Sequence, residues 1–293
     1  MNKQLSLIIL TYNSEKDIFD CLTSVYQYND IGEALEIIVV DNNSKDWCTT
    51  ESQIKEKFPN VITISNPTNG GYGQGNNVGI RASSAPIVSI MNPDVRLIMP
   101  VFGAFLKTLS APDVVMCGGK QCLPSQKAYV SFQYRFTVHP FLKLLVFPIC
   151  LRLEHYDSKR MWLQGAFFAI KKDIFSQIGL FDENIFLYEE ECDIHMRLCA
   201  TFPKSKIVYL ADLPYIHFTE NRPITYQLVE RQTISQLYLC TKNNITVSQY
   251  IDMQNSYLRW NKLIGMFLNF GHWTMSKYMQ FRMDYLHKMY FTK

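Results

Sequence analysis

No C-x-x-C pair occurs among the eight cysteines, which are scattered at Cys21, Cys48, Cys117, Cys122, Cys150, Cys192, Cys199 and Cys240. A chain of 293 residues does not depend on disulfides for its core, so reduced, mostly buried thiols and a cytosolic compartment are expected. No apolar run reaches the roughly 20 residues that a membrane-spanning helix needs. The first apolar stretch lacks a small-residue cleavage site and leads straight into Thr11-Tyr12-Asn13, so no signal peptide is expected. The protein should be soluble or attached to a membrane surface. An excess of one sign of charge is lacking as well. The formal net charge is +3, and there is no dense Lys/Arg stripe, so nucleic acid is set aside as a partner. Internal repeats and low-complexity tracts are absent.

What is present is a hydrophobic content of 47%, ample for a sizeable core. The length suits one large α/β domain with an appendage, or two small domains. Residues 4 to about 120 alternate short β-rich runs with helical stretches, as βαβ units with a mainly parallel sheet do. Strands are expected at 5–10, 35–41, 61–65, 87–91, 114–118, 166–171 and 207–211. Helices are expected at about 15–28, 51–58, 74–83, 100–110, 172–178 and 190–201, with Pro100 in a first turn. The apolar run from Phe141 to Pro148 reads as a core segment or as a mobile wall of an acceptor site. Strand signals stop after Pro223, and we divide the chain into residues 1–222 and a helical region, 223–293.

Three apolar runs end in polar groups: Leu5–Leu10 in Thr11-Tyr12-Asn13, Leu35–Val40 in Asp41-Asn42-Asn43-Ser44, and Ile87–Met91 in Asn92-Pro93-Asp94. In open α/β sheets ligands bind beyond the carboxyl ends of strands. Asp41 can accept from a base N–H, with Thr11 and Asn13 as anchors for ribose or phosphate; a capped turn explains the same residues. Asn69-Gly70-Gly71-Tyr72-Gly73-Gln74-Gly75-Asn76-Asn77 permits backbone approach to a ligand at a helix start, or is a tight turn. Its spacing fits neither a dinucleotide fingerprint nor a P-loop. Asp94 is the metal ligand candidate of this half, because hard divalent cations take few oxygens from protein and several from phosphate.

Further on, Glu189-Glu190-Glu191-Cys192-Asp193 follows an apolar run. Acidic residues suit the first turn of a helix, and Asp193 can pair with Arg197 four positions on. One of the glutamates is also a candidate general base, and His217 can close a metal site. The stretch from Met253 carries six Lys/Arg against one acidic residue, Asp284. Met275, Met279, Met283, Leu286 and Tyr290 define an apolar stripe opposite Lys277, Gln280, Asp284, His287 and Lys288. The stripe suits a membrane interface, packing on the catalytic domain, or a homodimer contact.

In series, these motifs resemble the family 2 inverting glycosyltransferases, close to the bacterial rhamnosyl- and galactofuranosyl-transferase branch. Further matching segments are Gly165-Ala166-Phe167-Phe168, Gly179-Leu180-Phe181-Asp182-Glu183 and Phe186 to Asp193, with Arg197. The resemblance implies an α/β architecture of the GT-A fold, with a mainly parallel central sheet flanked by helices and a C-terminal helical appendage. It implies a nucleotide-diphosphate-sugar donor, a divalent metal (Mg2+ or Mn2+), and a saccharide or polyprenyl-linked saccharide acceptor in surface-polysaccharide synthesis. Thr11, Tyr12, Asn13, Asp41, Asn69, Gly75, Asn76, Asn92 and Gly165 would then contact the donor. Asp94 would be the main metal ligand and His217 a second. Glu191 would be the base, with Glu190 as the other candidate. Two departures stand out: neutral Asn92 where the family often has Asp, and Glu191 where Glu-Asp is common. A catalytically silent donor-binding subunit and a nucleotidyltransferase are the rival readings. Location would be cytoplasmic, with peripheral attachment to the inner face of the membrane as a further option.

Overall fold

The computed structural model describes residues 2–219, 223–268 and 273–290, with side chains omitted for 265–268 and 273–276. Ten helices are described: α1 Ile18–Gln27, α2 Trp47–Lys57, α3 Tyr72–Ala82, α4 Phe102–Leu109, α5 Phe147–Arg152, α6 Lys172–Gln177, α7 Glu190–Thr201, α8 Tyr226–Lys242, α9 Val247–Leu268 and α10 Trp273–Tyr290. The strands are β1 Leu5–Thr11, β2 Leu35–Asp41, β3 Val61–Ser65, β4 Ile87–Met91, β5 Val95–Leu97, β6 Val114–Cys122, β7 Phe132–Tyr134, β8 Met161–Leu163, β9 Phe167–Lys171 and β10 Lys206–His217.

Eight strands form one sheet in the order β3-β2-β1-β4-β9-β6-β10-β5, and β7 and β8 form a separate ribbon. Strands β3, β2, β1 and β4 are parallel, as are β6 and β10. Strand β9 runs antiparallel to both neighbours. Every residue of β1 and β2 is buried, as expected of parallel strands covered on both faces. The buried positions Ile18, Cys21, Leu22 and Val25 follow helical periodicity and seat α1 on the sheet. Phe102 and Phe105 of α4 meet Phe167, which in turn lies edge-on to Tyr215 at 5.4 Å. Each such buried ring contributes about 1.5–3 kcal/mol.

Buried Glu36 in β2 is accounted for by Ser6 Oγ and by the amide and hydroxyl of Ser84, all of which donate to it. Desolvation pushes its carboxyl up, but these hydrogen bonds and Lys3 together outweigh it and hold the group below its ordinary value. Helix α4 begins at Phe102 rather than in the Pro100 turn, a correction with a clear cause. The Asp30 carboxylate accepts from the amides of Phe102 and Gly103 at 3.1 and 3.0 Å and fixes the first turn there.

The chain divides into two compact units. The first holds Met1–Gln133, Trp162–Phe186 and Glu190–Glu220 and contains the whole eight-stranded sheet; the second holds Tyr134–Met161, Leu187–Glu189 and Asn221–Lys293. In the second unit α8 and α10 pack together, with Met279, Tyr285 and Leu286 buried. Met279 and Leu286 of the apolar stripe are thus taken up by packing inside this unit; the side chain of Met275 lies outside the described residues. Buried Glu189 accepts from Gln236 at 2.7 Å and Gln232 at 3.2 Å. Among the described residues, no helix is long and apolar enough to cross a membrane.

Candidate active site

The three polar strand ends lie at one edge of the first unit. Thr11 and Asp41 are register partners at the ends of β1 and β2, with Thr11 Oγ1 donating to Asp41 Oδ1 at 3.4 Å. Asp41 Oδ2 accepts from the Ser44 amide, and Ser44 Oγ from the Asn13 amide at 2.7 Å. Asn13 takes a left-handed backbone, φ 51°, which asparagine tolerates. Tyr12 beside it is exposed. Asp41 therefore caps a turn and also stands buried at the strand end.

Sequence reading missed an amide network behind this edge. Asn42 donates to Asn69 Oδ1 (2.9 Å) and to the Gly71 carbonyl (3.1 Å). Asn66 donates to Asn42 Oδ1 at 2.8 Å and to Gln74 Oε1 at 2.7 Å. Asn66 carries no motif of its own, and only its position just past β3 hints at a place in this edge. The four glycines earn their positions by close packing. Gly71 has φ 95°, and a Cβ there would meet the Phe186 carbonyl oxygen at 2.2 Å. At Gly75 a Cβ would stand 2.5 Å from Leu10 Cδ1, so a bare Cα lets α3 lie against β1. Close packing is thus a second reason for glycine at position 75. Asn76 Nδ2 donates to the Tyr72 carbonyl, while its Oδ1 is buried without a hydrogen-bond partner.

Strand β4 ends in a turn closed by the Val95 amide donating to the Asn92 carbonyl at 3.1 Å. The turn reverses the chain into β5, a three-residue strand that the apolar pattern did not reveal. On β10 the register with β6 slips between Leu210 and Pro214. Pro214 has no N–H for the ladder, and Gly119 leaves room for the Leu213 carbonyl. Past this bulge β10 runs on to His217, the partner of Val95 across the antiparallel pair. His217 Nε2 thereby comes within 3.2 Å of Asp94 Oδ1.

Acidic α7 enters from the other side of the sheet order. The side chain of Glu191 lies on Gly165, just before β9, where a Cβ would clash with Oε1 at 1.7 Å. The Tyr72 hydroxyl ties these pieces together, sharing its proton between Asn92 Oδ1 at 3.1 Å and the Gly165 carbonyl at 3.0 Å. Burial, then the charges of Glu191, Glu190 and Asp94, push that hydroxyl well above its usual value, so it remains a donor. Carboxylates from both halves of the sequence therefore act on one half-buried phenol. Glu190 is buried, whereas Glu191 is half-buried. Glu189 accepts from Gln232 and Gln236, and Asp193 pairs with Arg197 at 2.6 Å. Tyr72 was missed by sequence reading, although a tyrosine between glycines at a helix start was the available signal.

For a divalent cation the donor chemistry fits. Both ring nitrogens of His217 are buried without a hydrogen-bond partner, and Nε2 faces a carboxylate. Among the described residues no three His, Cys, Asp or Glu side chains form a complete cage. One carboxylate and one imidazole suit a cation whose remaining ligands are phosphate oxygens and water.

The family profile described as glycosyl transferase family 2 matches residues 6–178. This chain belongs to that family. Family 2 membership and the GT-A fold, both expected from the motifs, hold. The low-salt glycan biosynthesis hexosyltransferase Agl10 of Haloferax volcanii is 24% identical over 266 residues, 86% of this chain and 77% of that protein. An N-acetylglucosaminyl-diphospho-decaprenol L-rhamnosyltransferase of Mycobacterium tuberculosis is 24% identical over 225 residues, 68% of this chain and 71% of that one. The mannosyltransferase PcManGT of Pyrobaculum calidifontis, solved with GDP-Man and Mn2+, superposes with a TM-score of 0.66 at 13% identity. That superposition covers 100% of this chain and 89% of the other, and shows a shared fold. As a family 2 member the chain is a glycosyltransferase.

Proposed function

We propose that this glycosyltransferase is inverting and metal-dependent. It moves a sugar from a nucleotide-diphosphate donor, dTDP-rhamnose or a UDP-hexose, to a hydroxyl of a saccharide acceptor. The reading is supported by the charges of Glu191, Glu190 and Asp94, which all act on the Tyr72 hydroxyl, and by His217 Nε2, which lies 3.2 Å from Asp94. The acceptor is lipid-linked, as the name of the mycobacterial relative's substrate suggests, and the product enters surface polysaccharide. Catalysis belongs to residues 1–222, acting in the cytoplasm at the inner face of the membrane.

Thr11, Asn13 and Asp41 hold the nucleoside, with Tyr12, Asn69 and Asn76 beside them. Asp94 and His217 would hold the cation. When bound, a divalent cation supplies Lewis-acid stabilisation of charge gathering on the departing diphosphate. Glu191 is the base, since it is the more accessible of the pair. Its carboxylate takes the acceptor hydroxyl proton as that oxygen bonds to the anomeric carbon. The bond from that carbon to the diphosphate oxygen breaks on the opposite face, and its electron pair leaves with the nucleotide. One displacement inverts the anomeric centre without a covalent enzyme intermediate. Asn92 and Gly165 orient the site through Tyr72.

The test is a thermal-shift screen of UDP-, GDP- and dTDP-sugars with and without Mn2+ or Mg2+, followed by transfer assays with the stabilising donor. A donor that binds the folded form raises the melting temperature by mass action, and the shift should require the cation. Donor binding with no transfer to any saccharide acceptor would overturn the reading in favour of a silent subunit.

A further inference from the structure

Helices of water-soluble units turn cations to solvent and apolar side chains to the core. The segment from Phe141 to Leu153 departs from this in turning several large apolar side chains to solvent. It runs from a π-helical turn, Leu142–Val146, into α5. Inside its own unit it contributes the Lys143 ammonium, which donates to the Phe136 carbonyl at 2.7 Å. It also contributes the Phe147 ring, 5.6 Å from Tyr134, and the buried Cys150. To solvent it presents Phe141 at 41%, Ile149 at 57% and Leu153 at 70% exposure. This overturns the reading of 141–148 as a core segment.

The apolar face continues onto α9. The rings of Phe141 and His139 lie edge-on to Trp260 at 5.6 and 5.9 Å. Leu263, on the same helix face three positions on, is 46% exposed. Several large apolar side chains exposed on elements in contact mark an interaction site, unlike the scattered exposed leucine of any surface.

Charge identifies the partner. Arg152, Arg259 and Lys262, on the same two helices, are exposed, and the sequence has no acidic residue between Asp113 and Glu154. A second copy seated on this face would oppose these cations with their own equivalents. An anionic bilayer complements both the apolar patch and its basic flank, with Trp260 suited to the headgroup level. We propose that this face of the second unit docks on an anionic lipid surface. Phe141, Ile149, Leu153 and Leu263 enter the acyl boundary, and Arg152, Arg259 and Lys262 meet the headgroups. The inference stands apart from the donor and base assignments.

Vesicle flotation of the full chain tests it, using phosphatidylcholine vesicles with and without phosphatidylglycerol at low and high salt. The wild-type chain should float with the anionic vesicles and detach as salt rises. Ile149→Asp/Leu153→Asp should lower the partition coefficient at least about tenfold. Arg259→Glu/Lys262→Glu should abolish the preference for phosphatidylglycerol. Both variants should melt like the wild type, because the altered side chains face solvent. Flotation by neither vesicle type, or unchanged flotation of Ile149→Asp/Leu153→Asp, would overturn the proposal. So would sedimentation velocity showing a lipid-indifferent dimer that the same variant splits. Sugar transfer is not part of the readout, so failure here is distinct from failure of the catalytic reading.

Discussion

The Glu191 carboxylate sits directly over the Cα of Gly165, so close that a methyl group there would stand 1.7 Å from Oε1. Gly165 also offers its carbonyl to Tyr72. The bare Cα sets where the carboxylate rests. Gly165→Ala should therefore push Glu191 aside without touching the nucleotide end of the site. A displacement of about 1 Å costs on the order of 100-fold in rate. We expect kcat to fall by about that factor, with the Kd for the donor unchanged in calorimetry. Equal loss of donor binding and of rate would mean that Gly165 shapes the donor pocket instead.

Asp94 and His217 meet because β10 outruns its bulge to pair with β5. Loss of outer-shell partners costs about 10–100-fold in metal affinity, so loss of a direct ligand should cost at least about 100-fold. Asp94→Asn and His217→Ala should each raise the Mn2+ concentration for half-maximal donor binding by that much. Thermal melting of the metal-free protein should change little. Full transfer by Asp94→Asn would remove Asp94 from the cation site.

Acid stability provides a test of the fold alone. Glu36 is held below its ordinary value of about 4.5 by Ser6 and Ser84. A lowered folded pKa means that the unfolded chain binds the proton first as pH falls. The contribution of Glu36 is complete above about 4.5 and disappears as pH drops through the lower folded value. Glu36→Gln should be less stable at neutral pH, and its denaturation midpoint should fall less steeply with acid. Parallel pH profiles for variant and wild type would show that this carboxylate is not linked to folding.

Much of the fold was legible because buried parallel strands are written as unbroken apolar runs. Leu5–Leu10, Leu35–Val40 and Ile87–Met91 needed no tertiary information. Helix α7 announced itself through acidic residues in its first turn. Strand β5 did not, since three residues carry no period. The start of α4 depended on Asp30, a distant residue that supplies its cap. At Gly75 a glycine cluster has two causes, backbone freedom and close packing, and the packing on Leu10 is visible only in space. Tyr72 joins Asn92 to Gly165 through contacts that no window of sequence contains. The core alternative for Phe141 to Pro148 failed for a simpler reason: apolar runs are buried by default, and the sequence does not reveal that Lys143 is held by the Phe136 carbonyl.

The central claim is that one site joins a cation-held diphosphate near Asp94 to a base on α7. Calorimetry and transfer assays on Glu191→Gln, with Glu190→Gln beside it, test this most directly. General-base loss costs about 10²–10⁴ in rate. We predict that Glu191→Gln binds the nucleotide-sugar with wild-type, cation-dependent affinity and transfers within that range more slowly. Wild-type transfer rates from both variants would contradict the account.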